Sequence, residues 1–510
     1  MRSFGKVTQN DFACLLIHMV WGKSLTDEAS VLVRIQDIAT QLRENRLESM
    51  YLIPSFIPVT ENNAKVLADA IRENTSLKNM FLSGHVLGVE GAKEIGSAIA
   101  SHVALKHVSV GHAEIGNDHL QLSTLMSGLF QSSSVDHVDL SKRSINADAI
   151  PVLINAMGTN ASVTSIDLSQ NNITDDALPL LAPLFQRPTI KSINLADNKF
   201  TSIGLSILIS IIQQSESSSS SSLLKLNINL NSLGRDSSEC IIGLLEICPN
   251  LVILEMSDCQ VSGTDESMER LGRAVANWSS GQQFVAQDSF KEEKSGLGFC
   301  RGLAGEPGAP ATITTPPLHS NLQHMVLRGC SIQDQGVSHI VECIYRGRLP
   351  RLVLLDIADN QLSSHSVELL GGVICTTGAS SIEVLDLSCN QLGHSAASDL
   401  CRWIESGRLE KLSCLAINNI GLSTKDLIDL VKLLILNPPP KLKLLELMSN
   451  NNEKENEKEK EINNNNNNNN TLDNVKYGQE EEEAIDNDEN QLLDLVDELQ
   501  DITNIDFKWK

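Results

Sequence analysis

The sequence contains no apolar run long enough to cross a membrane, since a membrane-spanning helix needs about 20 consecutive apolar residues. The only apolar run near the N-terminus is Phe12–Trp21, FACLLIHMVW, which contains a histidine and follows Asp11. It lacks a small-residue cleavage site of the kind that ends a signal peptide. We therefore expect residues 1–46 to form an N-terminal helical cap and not a signal peptide.

Established catalytic motifs are also missing. The chain has no Walker phosphate loop, no HExxH zinc motif, no nucleophile elbow and no paired CxxC. His107 and His137 hold equivalent positions in neighbouring predicted strands, where two rings come close enough to share a metal ion. Two histidines do not complete a metal's ligand set, so we favour surface histidines. The sequence predicts no enzyme, no cofactor and no metal.

Basic residues are in deficit. The chain has 40 Lys and Arg against 64 Asp and Glu, a formal net charge of -24. Residues 451–510 contain 18 acidic and 6 basic residues, so about half of the excess lies there. An acidic chain disfavours binding to nucleic acid and to anionic membranes, and favours a protein partner with a basic surface.

A repeating pattern runs through most of the chain. The stretch Ile166–Phe185, IDLSQNNITDDALPLLAPLF, begins with alternating apolar residues and ends with an apolar residue every three or four positions. This change of period indicates a short strand followed by a helix. The pattern LxxLxLxxNxL recurs in thirteen frames, of which five are full matches, six are weaker copies and two are fragments. The full matches start at Val163, Ile190, Leu223, Leu352 and Ile382, the weaker copies at Leu77, Leu105, Val135, Leu251, Leu322 and Leu412, and the fragments at Leu47 and Leu442.

These frames resemble the leucine-rich repeat family, in its long, ribonuclease-inhibitor-like subtype. One strand-plus-helix unit cannot bury its apolar face alone, so stacked units form a solenoid. The resemblance covers residues 47–450 and implies an α/β solenoid of about thirteen repeats. Its expected shape is a right-handed horseshoe with parallel strands on the concave face and helices on the convex face.

The cysteines favour an intracellular protein. Most of the 11 cysteines fall at positions that the repeat explains, as Cys259 and Cys330 do in place of the repeat asparagine. Reduced thiols are typical of reducing compartments. We therefore expect a protein of the cytoplasm, or of cytoplasm and nucleus.

Segments outside the repeat pattern are expected to be disordered. Residues 215–222, SESSSSSS, form a flexible insertion, and residues 279–320 form a larger one rich in Gly and Pro, unless a gene boundary is wrong there. Residues 451–510 form an Asn-rich, acidic tail. Within it, residues 490–502 carry an apolar stripe on an acidic helix. This helix either packs on its own solenoid or binds a partner, as an export-like helix does.

The side chains of the predicted concave face can be read from the frames. The residue between the last two strand leucines points outward, and it is acidic in six of ten repeats. Aspartate is common at this position in the family, but the same residues also predict an acidic stripe that docks a basic protein. The predicted contact residues are Asp139, Asp167, Glu255, Asp356, Asp386 and Glu446.

Two functions are compatible with the resemblance. Repeats of this kind are similar to those of ribonuclease inhibitor and of intracellular immune receptors, which implies a monomeric scaffold that binds a protein without chemistry of its own. Long repeats with an acidic tail also look like the Ran GTPase-activating proteins, which implies a small GTPase as partner. Arg235 and its neighbour Asn231 are the activator candidates, although Arg235 lies in the seventh frame and the family's arginine in an early one.

Overall fold

Fourteen short strands form one parallel sheet in chain order. The computed structural model describes residues 28–214, 221–233, 250–259, 321–345, 349–376, 380–450, 490–500 and 505–508, with residues 244, 247, 248 and 503. The strands are β1 Ser49–Tyr51, β2 Asn79–Ser83, β3 His107–Gly111, β4 His137–Asp139, β5 Ser165–Asp167, β6 Ser192–Asn194, β7 Lys225–Asn227, β8 Ile253–Glu255, β9 His324–Val326, β10 Leu354–Asp356, β11 Val384–Asp386, β12 Cys414–Ala416, β13 Leu444–Glu446 and β14 Asp506–Lys508. Thirteen of them coincide with the thirteen predicted frames.

Helices connect most of the described strands. They are α1 Glu28–Arg43, α2 Glu61–Glu73, α3 Gly88–Ser101, α4 His119–Gln131, α5 Ala149–Met157, α6 Ala182–Phe185, α7 Ser202–Gln214, α8 Gln333–Tyr345, α9 Ser364–Ile374, α10 Gly393–Glu405 and α11 Thr424–Leu436. Because a helix is wider than a strand, the stacked repeats curve with the strands on the concave side. Among the helices that the structure describes, none is long and apolar enough to span a membrane.

The hydrophobic core is formed by the apolar residues of the repeat pattern. In the repeat of β5, Val163, Ile166, Leu168 and Ile173 are each at most 1% exposed. Their counterparts in neighbouring repeats join them in one apolar cluster that extends through the described chain. Each strand therefore points its central residue into the core, and its first and third residues point to the opposite side of the sheet.

The repeat asparagines form a hydrogen-bonded ladder at the carboxyl ends of the strands. Asn171 Nδ2 donates to the carbonyl oxygen of Leu140 one repeat earlier at 2.9 Å, and its Oδ1 accepts from the backbone N–H of Arg143 at 2.8 Å. The same bonds recur at Asn198, Asn231, Asn360, Asn390 and Asn450. The side-chain amide thus satisfies backbone groups that strand pairing cannot reach.

Other residue types take the ladder position where asparagine is missing. The thiol of Cys259 donates to the Ile228 carbonyl at 3.1 Å, and that of Cys330 donates to Met256 at 2.8 Å. His85 holds the position in the repeat of β2. The residue just before the ladder position has a left-handed backbone in most repeats, for example Lys142, with φ 58, so the ladder also fixes a turn that most residues disfavour.

The sheet continues beyond the predicted end of the solenoid at residue 450. Residues 490–500 form a helix in which Leu492, Val496 and Leu499 are at most 5% exposed. The chain then adds β14, which pairs in parallel with β13, with Phe507 beside Leu445. This segment covers the apolar end of the last repeat, which agrees with the alternative in which the helix of residues 490–502 packs on its own solenoid. Strand β14 is an addition that the repeat frames do not predict.

Several predicted segments lie outside the described residues. They are the apolar run Phe12–Trp21, most of the insertion at 215–222, the insertion at 279–320, and residues 451–489 of the predicted tail.

Candidate functional site

The outward residues of the strands form two rows along the concave face. The third residues of neighbouring strands align in register: Asp139 lies beside Asp167, Asp167 beside Asn194, and Asp356 beside Asp386. All six predicted contact residues occupy this third-residue row. The register of the strands therefore brings these six residues onto one face of the sheet.

Four aspartates of this row have a structural role. Their Oδ1 atoms accept the backbone N–H two residues further on, with distances of 2.8 Å from Ser141 to Asp139 and 2.9 Å from Ser388 to Asp386. Asp167 and Asp356 make the same bond. Such a bond closes the turn that follows the strand. This geometry accounts for aspartate at the position without any partner.

Internal cations neutralise four of the six predicted contact residues. Arg328 reaches across two repeats, with Nε 3.2 Å from Asp356 Oδ2 and Nη2 hydrogen-bonded to Asp386. Lys225 Nζ lies 2.8 Å from Glu255, and Lys508 Nζ lies 2.7 Å from Glu446. These carboxylates already have the charge partner that a basic ligand would supply.

Asp139 and Asp167 differ from the other four. No Lys or Arg in the described part of the chain lies within ion-pair distance of either carboxylate. Asp167 Oδ2 accepts from Asn194 Nδ2 at 2.8 Å, and Asp139 Oδ2 has no hydrogen-bond donor among the described residues. The negative charge available to a partner is therefore concentrated on β4 and β5.

A row of rings lies beside these two carboxylates. Tyr51 stacks on Phe81 with ring centroids 4.4 Å apart, and Phe81 meets His107 edge-on at 4.9 Å. The ring of His107 lies 5.9 Å from that of His137. These four residues, named the ring row below, cross strands β1 to β4 on the concave face, and the side chain of His137 is 55% exposed.

The electrostatics of the ring row depend on its neighbours. Burial and the nearby His137 lower the pKa of His107, against the opposing effect of Asp139 and two other carboxylates. His107 is therefore neutral at pH 7. Nδ1 of His137 lies 2.6 Å from Oδ1 of Asp136, a bond that fixes the orientation of the exposed ring.

A buried arginine supports this part of the face. Arg143 takes the ladder position of its repeat and is 5% exposed, with Nε 3.0 Å from the Val110 carbonyl and Nη2 3.4 Å from Ser109 Oγ. Burial lowers the pKa of Arg143 and the charge of Asp139 raises it. An arginine remains charged in such a setting, so it tempers the negative potential near Asp139 without pairing with it.

The activator candidates gain no support from the geometry. Asn231 is fully buried, and its Nδ2 donates to the carbonyls of Leu195 at 3.0 Å and Ile228 at 2.9 Å. It is a member of the ladder and offers no surface to a GTPase. Arg235 lies outside the described residues.

The described ranges lack the side-chain groups that a metal site requires. They contain no group of three or more His, Cys, Asp or Glu side chains placed to hold a metal ion. His107 and His137 pair in register, as the frames predict, but no third ligand in the described chain joins them.

Comparison with known proteins places the chain among repeat proteins. Residues 159–182 and 378–401 match the leucine-rich-repeat model. A Tonsoku-like protein of Danio rerio is 28% identical over 209 residues, which cover 40% of this chain and 14% of that protein. The chain thus matches only a small share of that relative's length.

Two solved structures are similar to the chain. An internalin of Listeria monocytogenes is 14% identical, with a TM-score of 0.38, over 83% of this chain and 89% of that one. The chain in a TLR13–ssRNA13 complex is 13% identical, with a TM-score of 0.34, over 76% and 57%. The two matched segments and the single parallel sheet of fourteen strands together show the α/β solenoid fold of leucine-rich repeats.

Proposed function

We propose that this protein is a protein-interaction scaffold that binds a basic surface of a protein partner on strands β3 to β5 of its concave face. The observation that supports the proposal most directly is the pair Asp139 and Asp167, whose charges no described Lys or Arg neutralises. Leucine-rich-repeat proteins generally act as protein-interaction scaffolds, and a solenoid presents an extended concave surface for this purpose.

The strand geometry suits a scaffold. Parallel pairing fixes the strand backbones at spacings of about 4.8 Å, so the outward side chains form a rigid array. Rigid presentation lowers the entropy that binding costs. The net charge of -24 steers a basic partner toward the protein, and the unpaired carboxylates then favour docking at β4 and β5.

The test is partner capture with charge-reversed variants. The full chain is immobilised, proteins captured from a cell lysate are identified, and each is purified and titrated against the wild type. We expect the double variant Asp139→Lys/Asp167→Lys to bind the partner about 100-fold more weakly, equal to about 2.7 kcal/mol. Both positions are partly exposed, but lysine also removes the turn bonds to Oδ1 of Asp139 and Asp167. Circular dichroism and urea denaturation of the variant should therefore accompany the titration and show that the fold is retained.

A matched control separates local contact from net charge. Glu405 and Glu410 are exposed and precede β12, which lies seven strands from β5 in the sheet. The double variant Glu405→Lys/Glu410→Lys changes the net charge by the same amount and should alter the affinity by less than about threefold, since screened charges at a distance contribute little. Equal loss in both variants, or no loss in either, would show that the partner binds elsewhere.

A reducing compartment is part of the proposal. The described cysteines are all free thiols, and burial raises the pKa of Cys259 to about 11 and that of Cys248 to about 12. Such thiols are unreactive packing groups. They support a cytoplasmic or nuclear location, which fluorescence microscopy of a tagged chain would check.

A further inference from the structure

The side chains of the concave face change from rings to small polar groups after His137, where the ring row ends. The first residues of the strands are His107 on β3 and His137 on β4, and the next two strands place Ser165 and Ser192 in the same row. Both serines are partly exposed. Small side chains therefore follow the exposed ring of His137, and they leave room for the side chain of a ligand.

The carboxylates lie along this space. Asp139 is two residues from His137 on β4, and Asp167 is two residues from Ser165 on β5, so each points to the same side of the sheet. The next basic residue of the row is Lys225, which is turned to its ion pair with Glu255. Hence the ring of His137, two serines and two carboxylates without an ion pair surround one position.

On the basis of the proposed function, we infer that this position binds an arginine side chain of the partner. A guanidinium group stacks on a ring face and pairs with carboxylates through its forked N–H donors. The same arrangement suits lysine less, because an ammonium group has no plane to stack. The ring of His137 supplies the stacking surface, and Asp139 and Asp167 supply the charge.

The ring row extends the recognition to a second residue. Phe81 on β2 lies three strands from Ser165 on β5, a separation of about 14 Å at the usual strand spacing. An extended peptide that crosses the strands covers this distance in about four residues. We therefore expect an apolar residue against Tyr51 and Phe81, about four positions along the chain from the arginine.

Nucleic acid fits the face poorly. Rings also stack on bases, but every nucleotide brings a phosphate toward Asp136, Asp139 and Asp167 on a chain of net charge -24. Phosphate binding needs Lys and Arg, but Arg143 beside this position is buried and Lys225 is ion-paired with Glu255. A peptide ligand is the choice that charge complementarity supports.

The test uses defined peptides and the full chain. Fluorescence anisotropy would compare a labelled peptide that carries leucine and arginine four positions apart with the same peptide carrying citrulline, an uncharged analogue of arginine. We expect binding of the arginine peptide and at least tenfold weaker binding of the citrulline peptide. Equal affinity for the two peptides would overturn the proposal.

Two variants locate the site. Asp139→Asn/Asp167→Asn removes the charge, and Ser165→Tyr fills the space while every charge is retained. Each should weaken binding of the arginine peptide at least tenfold, whereas Glu405→Gln/Glu410→Gln should leave it within about twofold. An unchanged affinity in Ser165→Tyr would show that the peptide binds elsewhere. If a single-stranded oligonucleotide bound more tightly than the arginine peptide, the ligand of this face would be nucleic acid and the proposal would be wrong.

Peptide binding tests the arginine site, and partner capture tests the proposed function. If the peptide does not bind but capture of the protein partner still depends on Asp139 and Asp167, the arginine site is wrong and the scaffold function stands. If partner capture is indifferent to both carboxylates, the proposed docking face is wrong as well.

Discussion

Replacing Asn360 with alanine isolates the contribution of the asparagine ladder. Asn360 is fully buried; its Nδ2 donates to Leu327 O at 2.8 Å and Ala358 O at 2.9 Å, and its Oδ1 accepts from Cys330 N at 2.9 Å and Ile332 N at 3.2 Å. Alanine cannot replace any of these four bonds.

The expected cost follows from the groups that would be left unpaired. Ala358 O keeps a second donor, the N–H of Gly329 at 3.0 Å. The carbonyl of Leu327 and the N–H groups of Cys330 and Ile332 have no other partner in the described chain. An unsatisfied buried group costs about 1 to 3 kcal/mol. Because turns at the edge of the sheet can relax toward water, we expect a total of about 3 kcal/mol.

Urea denaturation followed by circular dichroism would measure this change. Solenoid repeats can unfold in parts, so hydrogen exchange of the amides in β9 to β11 should accompany it and show the loss locally. The control is Asn62→Ala, since Asn62 is exposed and its side chain, among the described residues, donates one hydrogen bond, to Glu28 at 3.2 Å. The control should change the free energy of unfolding by less than about 0.5 kcal/mol. Equal effects of the two substitutions would refute the ladder as a source of stability.

Three further predictions concern charge, pH and the C-terminal segment. Arg328→Gln should free two strand carboxylates, lower the free energy of unfolding by about 1 kcal/mol and increase the number of cationic peptides bound per chain in a titration. Burial lowers the pKa of His85 and of His102, so the stability that these neutral rings contribute is full above the unfolded pKa of about 6.5 and falls as the pH drops from there toward their folded pKa values. Hydrogen exchange of α2 and α3 at pH 7.5 and 5.5 should show this loss of stability, and His85→Asn should make the stability of this region depend less on pH. Leu499→Asp should detach the C-terminal helix, because Leu499 is fully buried; limited proteolysis would then cut within residues 490–508, and unchanged resistance would contradict this packing.

Much of the fold is predictable because the repeat carries its own register. Once the leucines of two frames are aligned, residues such as Asp139 and Asp167 must lie side by side on the outward face. The asparagine position likewise predicts the ladder, including Cys259 and Cys330 in place of asparagine. Both features depend on local spacing, which the sequence shows directly.

The details of the site depend on contacts between distant residues. Arg328 meets Asp386 58 positions away, so no single frame shows that a carboxylate of the acidic row is already paired. Tyr51 and Phe81 lie in weak frames, and their stacking appears only when the strands are aligned. The final strand at 506–508 lacks the frame altogether and follows a long interruption, which is why the sequence pattern misses it.

The central claim is that a protein partner covers the concave face at β3 to β5, and the inferred peptide extends this contact along the ring row to β1 and β2. Hydroxyl-radical footprinting tests it directly, since the radical oxidises aromatic and histidine side chains that are accessible to solvent. With the purified partner bound, we predict slower oxidation of Tyr51, Phe81, His107 and His137. Tyr345 is 46% exposed and lies on helix α8, so its rate should stay unchanged. Protection of Tyr345 with no protection of the ring row would contradict the account.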